Sequence, residues 1–192
     1  MNLEILVDEI ISEAKSCANR VVIIHGKYNY GKSTIIRRLF DEYQYVPKIF
    51  QSGCNPVYRN IATANLVSKI KMISELSSKK IILFLDEFDD DISLRTILCN
   101  DDIVDKAFIC TNCDIVVPYL GDYAMIDLVE RYSKADDYML TQGISPGEFL
   151  CKGKQSFDND GVVKKKASIH SMTIAYDGKY REISTIFYQK GQ

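Results

Sequence analysis

The chain has 192 residues, 46% of them hydrophobic and 26% charged, with a formal net charge of −2. That length can bury one substantial core, so one globular domain is expected, and the composition, with 10 Gly and 4 Pro, excludes disordered and collagen-like classes. No apolar run approaches the roughly 20 residues of a membrane helix, and Met1-Asn2-Leu3-Glu4 lacks the basic, apolar start of a secretion signal, so a cytoplasmic, soluble protein is expected.

Leu3, Leu6, Val7, Ile10, Ile11 and Ala14 recur at helical spacing with acids between them and predict an amphipathic helix. Val21-Val22-Ile23-Ile24-His25 is a continuous β-branched run closed by Gly26, the pattern of a strand buried on both faces. Ile35, Ile36, Leu39, Phe40 and Tyr43 then share a helical face. Val46 to Gln51 predicts a second strand, which Pro47 confines to a sheet edge or to the strand's first residues. Asn60 can cap a helix through Ile61, Ala64, Val67, Ile70, Ile73 and Leu76. Ile81 to Leu85 and Ala107 to Thr111 are further strands, with a helix near Ile92 to Leu98 between them. Asp122 can cap a helix through Met125, Ile126, Val129 and Tyr132.

Beyond Tyr138 helical periodicity fades, and Tyr138 to Thr141 and Glu148 to Cys151 read as short strands. Ser168 to Tyr176 and Tyr180 to Gln189 flank Asp177-Gly178, a dipeptide suited to a type I′ turn, and predict a β-hairpin. The expected fold is α/β: a three-layer arrangement with a mostly parallel central sheet and a C-terminal β-hairpin extension. Residues 1–142 form the core in this reading, and residues 143–192 a β-rich basic extension packed on it. Charge divides at nearly the same place. Residues 1–150 hold 16 basic and 22 acidic side chains, a net of −6, whereas residues 151–192 hold 8 basic and 4 acidic, a net of +4.

Six cysteines are scattered through apolar segments, and without an export signal reduced thiols are expected. Cys110 and Cys113 form a CxxC pair, but no second pair or suitably spaced histidine accompanies it, so burial is the simpler reading.

Gly26-Lys27-Tyr28-Asn29-Tyr30-Gly31-Lys32-Ser33 matches GxxxxGK[ST] between a buried strand and a helix, the context of a phosphate-binding loop. Its glycines let backbone N–H groups turn onto a polyphosphate, and the helix N-terminus favours negative charge. Lys32 can reach the β and γ phosphates, and Ser33 can ligate Mg²⁺, with Thr34 following it. The cofactors implied are ATP and Mg²⁺. Ile81 to Leu85 ends in Asp86-Glu87, where Asp86 can organise the Mg²⁺ shell and Glu87 can polarise an attacking water. Phosphoryl transfer to a substrate hydroxyl needs no such carboxylate, so the pair favours hydrolysis.

These residues resemble the additional-strand, catalytic-glutamate division of P-loop ATPases over about residues 3–142, and within it most of all the AAA+ ATPases. The resemblance implies that Phe108-Ile109-Cys110-Thr111-Asn112 is a sensor-1 strand, with Asn112 contacting the γ-phosphate or orienting the water. It also implies an arginine finger, for which Arg131 is the candidate, acting in a neighbouring subunit of a homo-oligomeric ring. A AAA+ module continues into a helical lid, whereas this chain is expected to end in strands. Ile144 to Leu150 with the strands after it is similar to the end of FtsK/HerA-type DNA pumps, including viral packaging ATPases, although those usually place glutamine where Asn112 stands.

The function expected is a Mg-dependent ATPase doing mechanical or switching work, with nucleic acid contacted through Lys164, Lys165, Lys166, Lys179 and Arg181. Tyr176, Tyr180 and Tyr188 stand near those cations and could stack on bases. Two alternatives remain open at this point: a nucleoside or nucleotide kinase, and a nucleotide-gated interaction module with negligible turnover.

Overall fold

The computed structural model describes residues 2–53, 59–88, 91–100, 102–112, 123–133, 143, 145–151, 167–176 and 179–188. The chain opens with helix α1 (Leu3–Ser16), whose first turn is capped by the Asn2 side chain accepting from the Glu4 N–H at 2.8 Å. Strand β1 (Val21–His25), helix α2 (Lys32–Glu42), strand β2 (Lys48–Ser52), helix α3 (Arg59–Ser77), strand β3 (Ile81–Asp86), helix α4 (Asp91–Leu98) and strand β4 (Val104–Thr111) follow in strict alternation. Strand β5 (Tyr123–Asp127), the short helices α5 (Leu128–Tyr132) and α6 (Pro146–Cys151), and strands β6 (Ala167–Tyr176) and β7 (Lys179–Tyr188) complete the described elements.

One seven-stranded sheet runs β5-β1-β4-β3-β2-β6-β7. The first five strands in that order are mutually parallel, and β6 joins β2 antiparallel before turning back as β7. The expected α/β class, with a mostly parallel sheet and a C-terminal hairpin, is the fold observed. Strand β4, though later in sequence, is inserted between β1 and β3.

Strand alternation divides the core in two. On one face Val22, Ile24, Phe84, Phe108 and Cys110 meet α1, α2 and Leu128 and Tyr132 of α5. Rings are concentrated there, with Phe84 stacked on Phe108 at 5.2 Å and edge-on to Phe40 at 5.3 Å. On the other face Ile23, Ile49, Leu83, Leu85 and Ile109 are covered by Leu66, Ile70 and Ile73 of α3 and Leu94 and Ile97 of α4. Burial on both sides explains the unbroken apolar runs of β1 and β3.

Three local expectations are corrected, and of the two places open to Pro47 one is excluded: strand β2 is not an edge, because β6 pairs with its far side. Pro47 is tolerated because it precedes the strand, contributing only its carbonyl to the Ile82 N–H at 3.0 Å. Helix α3 begins at Arg59, so Asn60 lies inside its first turn and does not cap it.

The helix expected from Asp122 is strand β5 up to Asp127, in parallel register with β1 from Val21↔Tyr123 to His25↔Asp127. Asp127 supplies the cap instead, accepting from the N–H groups of Val129 and Glu130. Met125 stays outside while Ile126 is buried, which is strand alternation and not a helical face. The strand expected at Glu148 to Cys151 is helix α6. Pro146 opens it, and Ser145 and Glu148 cap it reciprocally: the Ser145 N–H donates to Glu148 Oε2 at 3.0 Å, and the Glu148 N–H donates to Ser145 Oγ at 3.3 Å. Tyr138 to Thr141, Asp177-Gly178 and Lys164 to Lys166 lie outside the described residues.

Candidate phosphate-binding site

The candidate site forms where β1, β4 and β3 end side by side. Beyond the last paired residues the neighbours remain tied, by Gly26 N–H to the Thr111 carbonyl at 3.3 Å and by Phe88 N–H to the Cys110 carbonyl at 3.1 Å. These two bonds hold the start of the glycine loop and the turn after Asp86 against the end of β4. Asn112 follows directly, at an exposed bend between them. Continuing the alternation of Phe108 and Cys110 puts position 112 on the sheet face that carries the glycine loop.

Between Gly26 and Lys32 the chain makes its turn with left-handed residues at Asn29 (φ 62°) and Gly31 (φ 78°), Gly31 being the residue from which α2 departs. Asn is among the few side chains that tolerate this region, which explains a loop with bulky residues where small ones are usual. Lys32 folds back over the loop. The residue is only 9% exposed, and its ammonium donates to the carbonyls of Gly26 and Lys27, both at 2.7 Å. Lys27 and Tyr28 point outward, Tyr28 being 83% exposed, whereas Tyr30 turns inward and stacks on Tyr132 at 5.8 Å. The Thr34 N–H donates to the Gly31 carbonyl at 3.0 Å in the first turn of α2.

Asp86 projects from β3 onto the same face and is 4% exposed. The Ser33 hydroxyl hydrogen-bonds its carboxylate, while Asp86 Oδ1 has no partner. Burial pushes the Asp86 pKa above its ordinary value. The Ser33 hydrogen bond opposes that shift, the charge of Glu87 adds to it, and the cations of Arg37 and Lys32 draw it down. An orphaned carboxylate oxygen beside a serine hydroxyl is a donor set suited to a hard divalent cation, so the residues present fit Mg²⁺.

Glu87 is exposed and adopts φ 57°, a strained conformation for its type. Gly53 makes room for it: a Cβ at position 53 would overlap the Glu87 carbonyl. Strain in the residue after a buried carboxylate turns the chain sharply and leaves the Glu87 side chain facing solvent at the sheet's rim.

The structure thus brings Gly26, Gly31, Lys32, Ser33, Asp86, Glu87 and Asn112 to one rim of the sheet. Arg131 is elsewhere, its guanidinium donating to both carboxylate oxygens of Glu13 at 2.6 and 2.7 Å. Lys179 and Arg181 lie on β7, in register with Tyr176 and Ile174 of β6.

Three further residues neighbour the site, of which Arg37 and Tyr132 were not expected there from the sequence. Cys110 is fully buried, with its Sγ 3.5 Å from the Lys32 carbonyl, and burial beside Asp86 pushes its thiol up, which suits a neutral filler under the loop. Arg37 acts on Asp86 from the next turn of α2, its guanidinium lying 4.8 Å from the Phe50 ring centre. Tyr132 is buried against Tyr30 with an unpartnered hydroxyl, and burial raises its phenol pKa. Cys110 lies in the CxxC pair and in the Phe108 to Asn112 strand, whereas Arg37 and Tyr132 belong to no sequence motif.

No family model and no curated protein matches the sequence. Among solved structures the fold is similar to that of C. elegans PCH-2, at a TM-score of 0.36 and 12% identity, over 65% of this chain and 40% of that one. The chain therefore spans less than half of that protein's length. Likeness of that degree establishes neither shared activity nor shared partners. The sheet and its motif-bearing rim nevertheless make the chain a P-loop-like α/β protein.

Proposed function

We propose that the chain is a Mg-dependent ATP hydrolase of the additional-strand, catalytic-glutamate kind, with residues 1–142 as its catalytic core. The observation that carries this reading is the insertion of β4 between β1 and β3, which sets Asn112 between the glycine loop and the Asp86-Glu87 pair. The loop N–H groups and Lys32 bind the phosphates of ATP and neutralise charge that grows in the transition state. Ser33 and Asp86 would hold Mg²⁺, which when bound would supply further charge neutralisation on the phosphate oxygens. Glu87 accepts a proton from the attacking water, and Asn112 orients that water or contacts the γ-phosphate.

The finer reading is a homo-oligomeric motor or switch of AAA+ or FtsK/HerA type. For Arg131 to complete a neighbour's site its guanidinium must leave Glu13, so assembly would exchange one ion pair for a contact with nucleotide. The polymer proposed is nucleic acid, on the net charge of +4 in residues 151–192.

The test is phosphate release by the full chain and by Glu87→Gln, with and without single- or double-stranded DNA. Glu87→Gln should lower the rate about 100-fold or more while retaining bound ATP. Transfer of γ-phosphate to a nucleoside with little free phosphate would replace this reading with a kinase, and a wild-type chain that binds ATP without turnover would make it an interaction module.

A further inference from the structure

Helix α6 lies directly on the glycine loop, and two glycines make the approach possible. The Gly147 N–H donates to the Asn29 carbonyl at 2.8 Å. A Cβ on Gly147 would stand 2.5 Å from Asn29 Oδ1 and 2.6 Å from its carbonyl oxygen. A Cβ on Gly31 would stand 2.6 Å from Leu150 Cδ1. Around this close contact runs a polar relay: Asn29 Nδ2 donates to Ser145 Oγ at 2.6 Å, and that hydroxyl donates to Glu148 Oε2 at 2.8 Å. Glu148 in turn is fixed by the reciprocal cap at the start of α6.

A trans peptide carries its C=O and N–H on opposite sides. Gly147 draws the Asn29 carbonyl outward, toward α6, and so turns the Tyr30 N–H the other way, into the loop. An N–H aimed into a glycine loop is the group that meets a phosphate oxygen. Asn29 (φ 62°) begins this peptide and Gly31 (φ 78°) follows Tyr30, so left-handed residues bracket the stretch at which the loop could otherwise rotate. Tyr28, Asn29 and Tyr30 are bulky for such a loop, and an external clamp compensates for a sequence that does not preorganise itself.

We infer that Gly147 and Ser145 are positioning residues for phosphate binding, the α6 segment serving as a clamp that presets the peptide between Asn29 and Tyr30 in the phosphate-receiving orientation. This rests on the reading of Gly26 to Ser33 as the phosphate loop. It assigns the Ser145-Pro146-Gly147-Glu148 sequence a task in the site although it stands more than a hundred residues away along the chain.

The experiment measures Mg-ATP and Mg-ADP binding to the full chain by calorimetry, with thermal melting of each variant in the absence of nucleotide. Gly147→Ala should weaken both nucleotides by about tenfold, the equivalent of one well-placed hydrogen bond. Ser145→Ala should weaken them by a smaller factor and melt slightly lower through loss of the α6 cap, and Ser145→Thr should restore both wild-type affinity and the parent's melting midpoint. If Gly147→Ala melts early, Asn29→Ala and Ser145→Ala carry the test: their effects on affinity should not add in the double variant, because both cut one relay. Wild-type affinity in Gly147→Ala and Ser145→Ala, with binding lost in Lys32→Ala, overturns the clamp and leaves the phosphate loop standing. Absence of binding by the wild-type chain overturns both.

Discussion

The two faces of the sheet are built from the same strands and do different work. The α3/α4 face is apolar almost throughout, with Thr63 and Ser93 paired to each other at 3.0 Å and Gln51 and Thr111 as further buried polar side chains on that side. The α1/α2 face has an aromatic floor of Phe40, Phe50, Phe84 and Phe108, but Asp86 ends β3 there, Asn112 follows β4, and the crossover from β1 begins with the glycine loop. A parallel sheet sends all its strands out at one edge, so residues just past the last apolar position converge there whichever face they sit on. What distinguishes the chemical face is that α2 starts at that edge with a left-handed Gly31 and a buried Lys32, whereas α3 and α4 supply cover alone.

The sharpest way to separate the faces is to damage the covering one. Leu83 is fully buried against the α3/α4 layer, so Leu83→Ala should cost about 2–5 kcal/mol of stability by urea unfolding. Well below its lowered melting point, the variant should bind nucleotide as the parent does. Loss of nucleotide affinity in a fully folded Leu83→Ala chain would show the two faces to be coupled.

A smaller effect of opposite sign is expected at Gln51, whose amide nitrogen and oxygen are both buried without a partner. Gln51→Leu should raise stability by about 1–3 kcal/mol, since it removes two unsatisfied groups without changing side-chain bulk greatly. A destabilised Gln51→Leu would mean that the amide serves a bound water or ligand on that face.

On the chemical face the same reasoning acquires a pH dependence. Asp86 is held above its ordinary value of 3.8, so its contribution to stability is fully present below pH 3.8, where it is protonated in both states. That contribution is lost as pH rises through the folded-state pKa. In the absence of nucleotide and metal, Asp86→Asn should therefore melt higher than the parent at neutral pH, with the advantage shrinking toward pH 3.8. The gain should be the least of the three, because Ser33 already satisfies part of the carboxylate. An advantage that grew on acidification would contradict the assigned cause.

Much of this was legible in the residues. The β-branched runs of β1 and β3 announce burial on both faces, and glycine, lysine and serine at fixed spacing announce the loop. The elements misread were those set by partners far along the chain. Strand β5 is a strand because β1 offers it an edge, which outweighs the helical spacing of Met125, Ile126 and Val129. Helix α6 did carry a local signal, the Ser145 to Glu148 capping box with Pro146 at its first position, but its place on the loop depends on Gly147 and Asn29 meeting across more than a hundred residues. Glu87 was readable as a carboxylate beside Asp86, and its strain was not, since that requires Gly53 from the neighbouring strand.

The central claim is that the buried Lys32, now held by the carbonyls of Gly26 and Lys27, is exchanged onto a phosphate. Calorimetric titration of Mg-ATP into wild type and Lys32→Ala tests it most directly. The account predicts saturable one-to-one binding by the wild-type chain that falls about 100-fold or more in Lys32→Ala, with both chains folded. Equal binding by the two chains, or none by either, would contradict it.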